Sequence, residues 1–225
     1  MRQGTLYGVG VGPGDPELLT LKAIRILKQA DVIAVPDKGH GEGTALAIAG
    51  AYIADKERIS CPAPMVKDKD VLDACYAETA ERICALLDAG KDVAFITLGD
   101  PTVYSTYIYL HRKVVERGYG AEIVPGVPSF CAVAARLGES LCQGEERLLV
   151  VPASHGVGED VLDFPANKVF MKSGRGLSAL RDTLKRRGTP AGGVANCGME
   201  GERVWRTLDD MEDGPGYFAV VLAKE

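Results

Sequence analysis

"TLYGVGVGPGDPELLTLKA", residues 5–23, sets a short apolar run before a turn that carries Gly8, Gly10, Gly12 and Gly14, and apolar residues at helical spacing follow. Residues 5–11 alternate as a buried strand does. Asp15 is placed to N-cap a helix, with Pro16 in its first turn and Glu17 near the positive end of its dipole. Leu18, Leu21, Ile24 and Leu27 then recur at the helical period. A strand, a glycine turn and a helix form the first half of a βαβ unit, so the stretch predicts an α/β fold.

The glycine spacing rules out two familiar phosphate loops. A GxGxxG pattern begun at Gly8 ends on Pro13, and one begun at Gly10 ends on Asp15. No GK[ST] closes a Walker loop. Asp15 would also repel a phosphate and compete for the helix amides. What remains is a sharp backbone turn at a strand's carboxyl end, the place where open α/β sheets bind ligands. A tight βα turn with no ligand is the alternative.

A second stretch, "DVAFITLGDPTVYST" (residues 92–106), repeats the arrangement: an apolar β-branched strand, then Gly-Asp-Pro. Between these two, residues 31–36 read as a strand and 44–53 as a helix. Val71, Leu72, Cys75, Thr79, Ile83, Leu86 and Leu87 form a helical stripe that Gly90 ends. A helix over 103–118 and a strand over 121–125 complete this half. "PGVPS" (residues 125–129) reads as a linker. The remainder reads as helices near 129–137 and 177–187, strands near 147–151, 168–171 and 192–195, and late strands in "RVWRTL" and "YFAVVLA". The expectation is an α/β protein of two domains, 1–124 with a mainly parallel sheet and 125–225 with a mixed one.

Bulk properties fit this picture. The 225 residues include 46% hydrophobic and 25% charged side chains, with a net charge of −5, which argues against a general nucleic-acid surface. No apolar run is long enough to span a bilayer and no signal-peptide core precedes a cleavage site, so the expected setting is cytoplasmic. The six cysteines include no CxxC pair, which predicts reduced, mostly buried thiols and no metal site.

"VGVGPGDPELLTLKA", "GDPTVYSTY", "PGVPSF" and "YFAVVLA" together resemble the tetrapyrrole methyltransferases, the enzymes that methylate uroporphyrinogen and corrin precursors with S-adenosylmethionine. The resemblance covers essentially the whole chain. "PMVKD" (residues 64–68), "YST" after Gly-Asp-Pro and "VFMKSGR" (residues 169–175) most resemble the subgroup that methylates the C20 meso carbon of precorrin-2 or cobalt-factor II. The family's two-domain fold, with the folded cofactor in a trough between the domains, and its homodimeric assembly are what the resemblance implies. It also implies that Gly99, Asp100 and Pro101 meet the methionine end of the cofactor, that Tyr104 lines the cofactor or ring pocket, and that Pro13 lies close by. Ser129 and Phe130 are further implied contacts. The family's "PG[IV]TS" reads Pro125, Gly126, Val127, Pro128, Ser129 here, so that Pro128 removes a hydroxyl and an N–H. Met171 takes the place of a methionine near the adenosine, or simply fills the core. Ala195, Asn196 and Cys197 are implied backbone contacts to the adenine.

A meso carbon of an electron-rich macrocycle is already nucleophilic, so alignment and exclusion of water are the main demands on the protein. No catalytic base stands out. His111 reads as a partly exposed helix residue, His40 as a loop residue that could border the substrate, and His155 as loop filler. Lys38, Lys67, Lys69 and Arg112 are candidates for the substrate carboxylates, or ordinary surface charges. Lys185, Arg186 and Arg187 suit a helix carboxyl end. Three rival readings stay open: methylation at another ring position, diphthine synthesis, and a nucleotide-binding or regulatory module.

Overall fold

The structure, a computed structural model, describes residues 2–37, 43–62, 68–154, 156–214 and 216–225, without the side chains of Lys69 and Arg175. The chain divides into two units, Met1–Pro128 and Ser129–Glu225.

The first unit is built on β1 (Thr5–Gly10), β2 (Val32–Asp37), β3 (Glu57–Pro62), β4 (Val93–Thr97) and β5 (Gly120–Val124). They pair in the order β3-β2-β4-β1-β5, every pair parallel. The strands are apolar on both sides because helices cover both faces. On one face α1 (Leu21–Gln29) and α2 (Thr44–Ala49) bring Ile26, Leu27, Ala45 and Ile48 onto Val9, Ile33, Ala94 and Ile96. On the other, α3 (Lys69–Asp88) and α4 (Tyr107–Glu116) bring Ile83, Leu87, Leu110 and Val114 onto Leu6, Val32, Ala34, Val93 and Phe95. Alternate residues of each strand thus serve opposite cores, as the period of two requires.

Three local readings are corrected. Asp15 caps only a short 3-10 turn, Pro16–Leu18, and α1 starts at Leu21 behind a second cap, Thr20, whose Oγ1 accepts the Ala23 N–H at 3.1 Å. Leu21 is therefore 86% exposed rather than part of the buried stripe. The edge strand β3 is absent from the sequence reading, because its charged, weakly alternating Glu57-Arg58-Ile59-Ser60 pairs on one side alone. Pro125 to Pro128, expected to open the second domain, belong to the first unit, since Gly126 packs backbone to backbone against Gly10 and Gly99.

The second unit holds β6 (Leu148–Pro152), β7 (Asn167–Met171), β8 (Ala191–Ala195), β9 (Arg203–Trp205) and β10 (Ala219–Ala223) in the order β6-β7-β10-β8-β9. β6 and β7 are parallel, β10 runs antiparallel between β7 and β8, and β9 is antiparallel to β8, so the sheet is mixed as expected. One face packs Val133, Ala134 and Leu137 of α5 (Ser129–Leu137) onto Val169, Val194, Val220 and Leu222. The other packs Leu162 of α6 (Glu159–Asp163) and Leu177, Leu180 and Leu184 of α7 (Leu177–Arg187) onto Phe170, Trp205 and Val221. No cysteine forms a disulfide, and three of the six, Cys61, Cys84 and Cys197, are buried, fewer than expected. Among the described residues, no helix is long and apolar enough to cross a membrane.

Candidate functional site

The strand order of the first unit creates one distinctive edge. The connection from β1 to β2 crosses β4 on the α1 face, and the connection from β4 to β5 crosses β1 on the α4 face. The loops that leave neighbouring strands β1 and β4 therefore diverge to opposite faces. This is the topological switch point at which open α/β sheets take ligands. The two Gly-Asp-Pro stretches singled out in the sequence are these two loops.

They are joined by their backbones. The Gly12 N–H donates to the Gly99 carbonyl at 3.3 Å, and the Gly99 N–H donates back to the Gly12 carbonyl at 2.7 Å. Both glycines have left-handed backbones, φ +79° and +70°, which glycine alone adopts without steric cost. Gly10 and Gly126 lack a Cβ for another reason: a Cβ on Gly10 would stand 2.6 Å from the Gly126 nitrogen, and one on Gly126 would stand 2.2 Å from the Gly99 carbonyl oxygen. The carboxyl ends of β1, β4 and β5 thus meet as bare backbone.

Asp100 is buried beneath this junction. Its Oδ1 accepts the Thr102 N–H at 2.7 Å and the Thr102 hydroxyl at 2.5 Å, and its Oδ2 accepts the Gly126 N–H at 3.0 Å. The side chain braces the loop after β4 against the segment after β5. Pro13 and Pro101 are buried beside it, and Tyr104 is 45% exposed at the same edge with φ +49°. Arg112 is an exposed residue of α4, five positions beyond the helix start and so about 7 Å down the axis from the strand ends. His111, next to it, accepts or donates a hydrogen bond with the Tyr107 hydroxyl at 3.0 Å. Burial, and then the positive charge of Arg112, hold its pKa below the ordinary value. Lys38, Lys67, His40 and His155 lie outside the described residues, as does most of "PMVKD".

In the second unit β6, β7 and β8 all end on one edge, where β10 begins. Met171 closes β7 and, with Phe130 of α5, packs partly buried against the α5 core. Ser129 begins α5 half-buried. Ala195 ends β8 fully buried. Asn196 follows with φ +52°; its N–H donates to the Phe218 carbonyl at 3.0 Å and its Nδ2 to the Gly201 carbonyl at 3.3 Å.

Backbone strain marks the same edges. Among the described residues, Tyr104, Lys172 and Asn196 are the non-glycine residues at positive φ, and each follows the carboxyl end of β4, β7 or β8. Such positions cost on the order of 1–3 kcal/mol and gather at functional sites. Lys172, at φ +57° directly after Met171, is the residue that sequence reading passed over. No spacing rule marks it, because its departure lies in the backbone. The role of the Gly126 amide was passed over because it depends on a contact spanning 26 residues, and that of Thr102 because its two bonds to Asp100, two residues away, show only in the folded turn.

Comparison with known proteins agrees with this geometry. The family model for tetrapyrrole (corrin/porphyrin) methylases matches residues 5–212. The chain is 36% identical over 234 residues to the cobalamin biosynthesis protein CobIJ of Mycobacterium tuberculosis, covering 98% of this chain but 46% of that one. It thus spans about half the length of that relative. It is 34% identical to the precorrin-2 C(20)-methyltransferase of Sinorhizobium sp, covering 97% and 94% of the two chains. It is 32% identical to the cobalt-precorrin-2 C(20)-methyltransferase of Salmonella typhimurium, covering 99% and 97%. The uroporphyrin-III C-methyl transferase of Thermus thermophilus, solved with S-adenyl homocysteine, shares the fold at TM-score 0.68 with 24% identity, over 99% of this chain and 98% of that one. With a glycine-braced switch point in the first unit and a family match that runs from β1 past β9, this chain belongs to the tetrapyrrole (corrin/porphyrin) methylase family.

Proposed function

We propose that the chain transfers the methyl group of S-adenosylmethionine to the C20 meso carbon of a corrin precursor, precorrin-2 or cobalt-factor II, in cobalamin biosynthesis. The observation that carries this reading is full-length likeness: relatives named for C20 methylation align over 97–99% of this chain and 94–97% of their own. The edge described above fits the cofactor. Gly99 is buried but leaves room on its Cα, where a Cβ would meet only the Val127 carbonyl, at 4.0 Å. Beside it stand Pro101 and the half-exposed Tyr104 ring, in a loop whose carboxylate is buried underneath. Backbone amides and carbonyls can grip an amino-acid end without titrating.

In the first unit the residues proposed to hold the cofactor are Gly99, Pro101 and Tyr104 together with Pro13; Ser129, Phe130, Met171, Ala195 and Asn196 of the second unit are proposed as cofactor contacts on the family resemblance alone. Bound there, the cofactor supplies an activated methyl on a sulfonium. The protein's contribution is to orient and to exclude water, which in well-aligned reactions lowers barriers by up to roughly 7–11 kcal/mol. Asp100 acts through the backbone it braces, not by direct contact. We assign no side chain to removal of the C20 proton. Lys38 and Lys67 remain proposed contacts for the substrate carboxylates, along with Tyr104 for the ring. Arg112, exposed on α4, is a further proposed contact for those carboxylates.

The test is a methyl-transfer assay with each tetrapyrrole offered separately, read by mass and absorbance. One methyl gained, with S-adenosylhomocysteine released, is the expected result. A methyl gained at another position, or on a protein substrate, would keep the family and overturn the C20 assignment.

A further inference from the structure

Tyr107 opens α4 one turn beyond Tyr104 and is completely buried. Its ring occupies a notch in the sheet. Gly8 forms the floor, between its strand neighbours Phe95 on β4 and Ile123 on β5. A Cβ on Gly8 would lie 2.0 Å from Tyr107 Cε1 and 2.1 Å from Cζ, so the ring rests directly on the β1 backbone. The Phe95 ring flanks it at 5.5 Å, and the hydroxyl donates to the Glu122 carbonyl of β5 at 3.3 Å. One side chain of α4 therefore touches β1, β4 and β5, the three strands whose carboxyl ends meet at the glycine junction. Just upstream, Ser105 Oγ accepts the Tyr107 N–H at 3.2 Å and pairs with Thr97 Oγ1, at the end of β4, at 2.9 Å. The loop between Thr97 and Ser105 is closed at its base by that pair, and the Tyr107 ring fixes the outer half of the clasp.

We propose that Tyr107 is a positioning residue for cofactor binding: seated on Gly8, it sets the height of α4 over the strand ends and with it the shape of the Gly99–Tyr104 loop. This rests on the cofactor reading of that loop. It gives Gly8 a specific purpose, since a glycine in a strand interior marks a close approach. A purely structural Tyr107 would alter how much protein is folded but not how tightly the folded protein binds. A positioning Tyr107 alters the affinity of the folded protein.

The experiment is calorimetric titration with S-adenosylhomocysteine beside thermal unfolding, on the wild type, Tyr107→Phe, Gly8→Ala and the double variant Gly8→Ala/Tyr107→Leu. Tyr107→Phe keeps the ring and loses both the tie to the β5 carbonyl and the bond to His111 Nδ1, and it should bind S-adenosylhomocysteine roughly 3- to 10-fold more weakly, the size of one to two ordinary hydrogen bonds. Gly8→Ala should push the ring out and weaken binding further. The double variant, which makes room for the new methyl, should recover part of that loss. Variants that melt earlier yet bind as tightly as the wild type would overturn the inference and leave the cofactor reading standing. A wild type that binds no S-adenosylhomocysteine would overturn both.

Discussion

Asp100, which the family resemblance places at the cofactor, is held firmly within the protein. Both carboxylate oxygens are occupied within the protein, by Thr102 and by the Gly126 amide. Asp100→Asn would turn one oxygen into an NH2 group facing an N–H, leaving buried donors opposed. We expect Asp100→Asn to weaken S-adenosylhomocysteine binding about as severely as Asp100→Ala, by roughly tenfold or more, the size of losing a charge-assisted bond. Both proteins should stay folded by circular dichroism. Near-native affinity in the Asn variant would show that the brace is unimportant. Gly99→Val should lose affinity for another reason, because a β-branched residue resists φ +70°. Unaltered binding in that variant would count against the loop.

At the scale of elements, two devices set stability apart from the site. Gly188 ends α7 in the left-handed conformation, φ +67°, with its N–H on the Leu184 and Lys185 carbonyls. Gly188→Ala should cost about 1 kcal/mol, read as a lower Tm, with methyl transfer unchanged. His111 on α4 gives a pH signature. Its pKa is lowered in the folded state by burial and then by Arg112, so the unfolded chain binds the extra proton more readily. Its contribution is therefore present above the ordinary histidine range and is lost as pH falls through that range toward the lowered value. The Tm of the wild type should drop more steeply on acidification from neutrality than that of His111→Gln; parallel curves would remove His111 from the account. Elements also show what was legible in sequence. α7 and the strands β4 and β10 were plain in the sequence, the two strands as continuous apolar, β-branched runs. β3 was not, because an edge strand with one partner needs little apolar patterning. The start of α1 was misplaced because Asp15, Pro16 and Glu17 satisfy the rules of a helix start while capping only a single 3-10 turn. The site followed the same divide. Its glycines and Gly-Asp-Pro loops were visible as local signals, but the Asp100 brace, the Gly8–Tyr107 seat and the strained Lys172 arise from long-range contact or backbone angle.

For the whole molecule, charge poses a specific problem. A chain of net charge −5 repels a polycarboxylate at long range, so capture of the proposed substrate would depend on local cations. With Lys38 and Lys67 as those cations, kcat/KM should fall as salt rises, and a Lys38→Ala/Lys67→Ala double variant should show a higher KM and a flatter salt dependence. Equal salt profiles would remove both lysines from the substrate site. The central claim is that this α/β scaffold aligns a sulfonium methyl with a meso carbon, and one measurement addresses it directly. Purified protein is incubated with S-adenosylmethionine and, separately, precorrin-2 and cobalt-factor II, and the products are weighed and their methylated carbon located by nuclear magnetic resonance. The account predicts a single methyl at C20 on at least one of the two, the accepted form deciding whether the substrate carries cobalt. No methyl on either, from protein shown to bind S-adenosylhomocysteine, would contradict it.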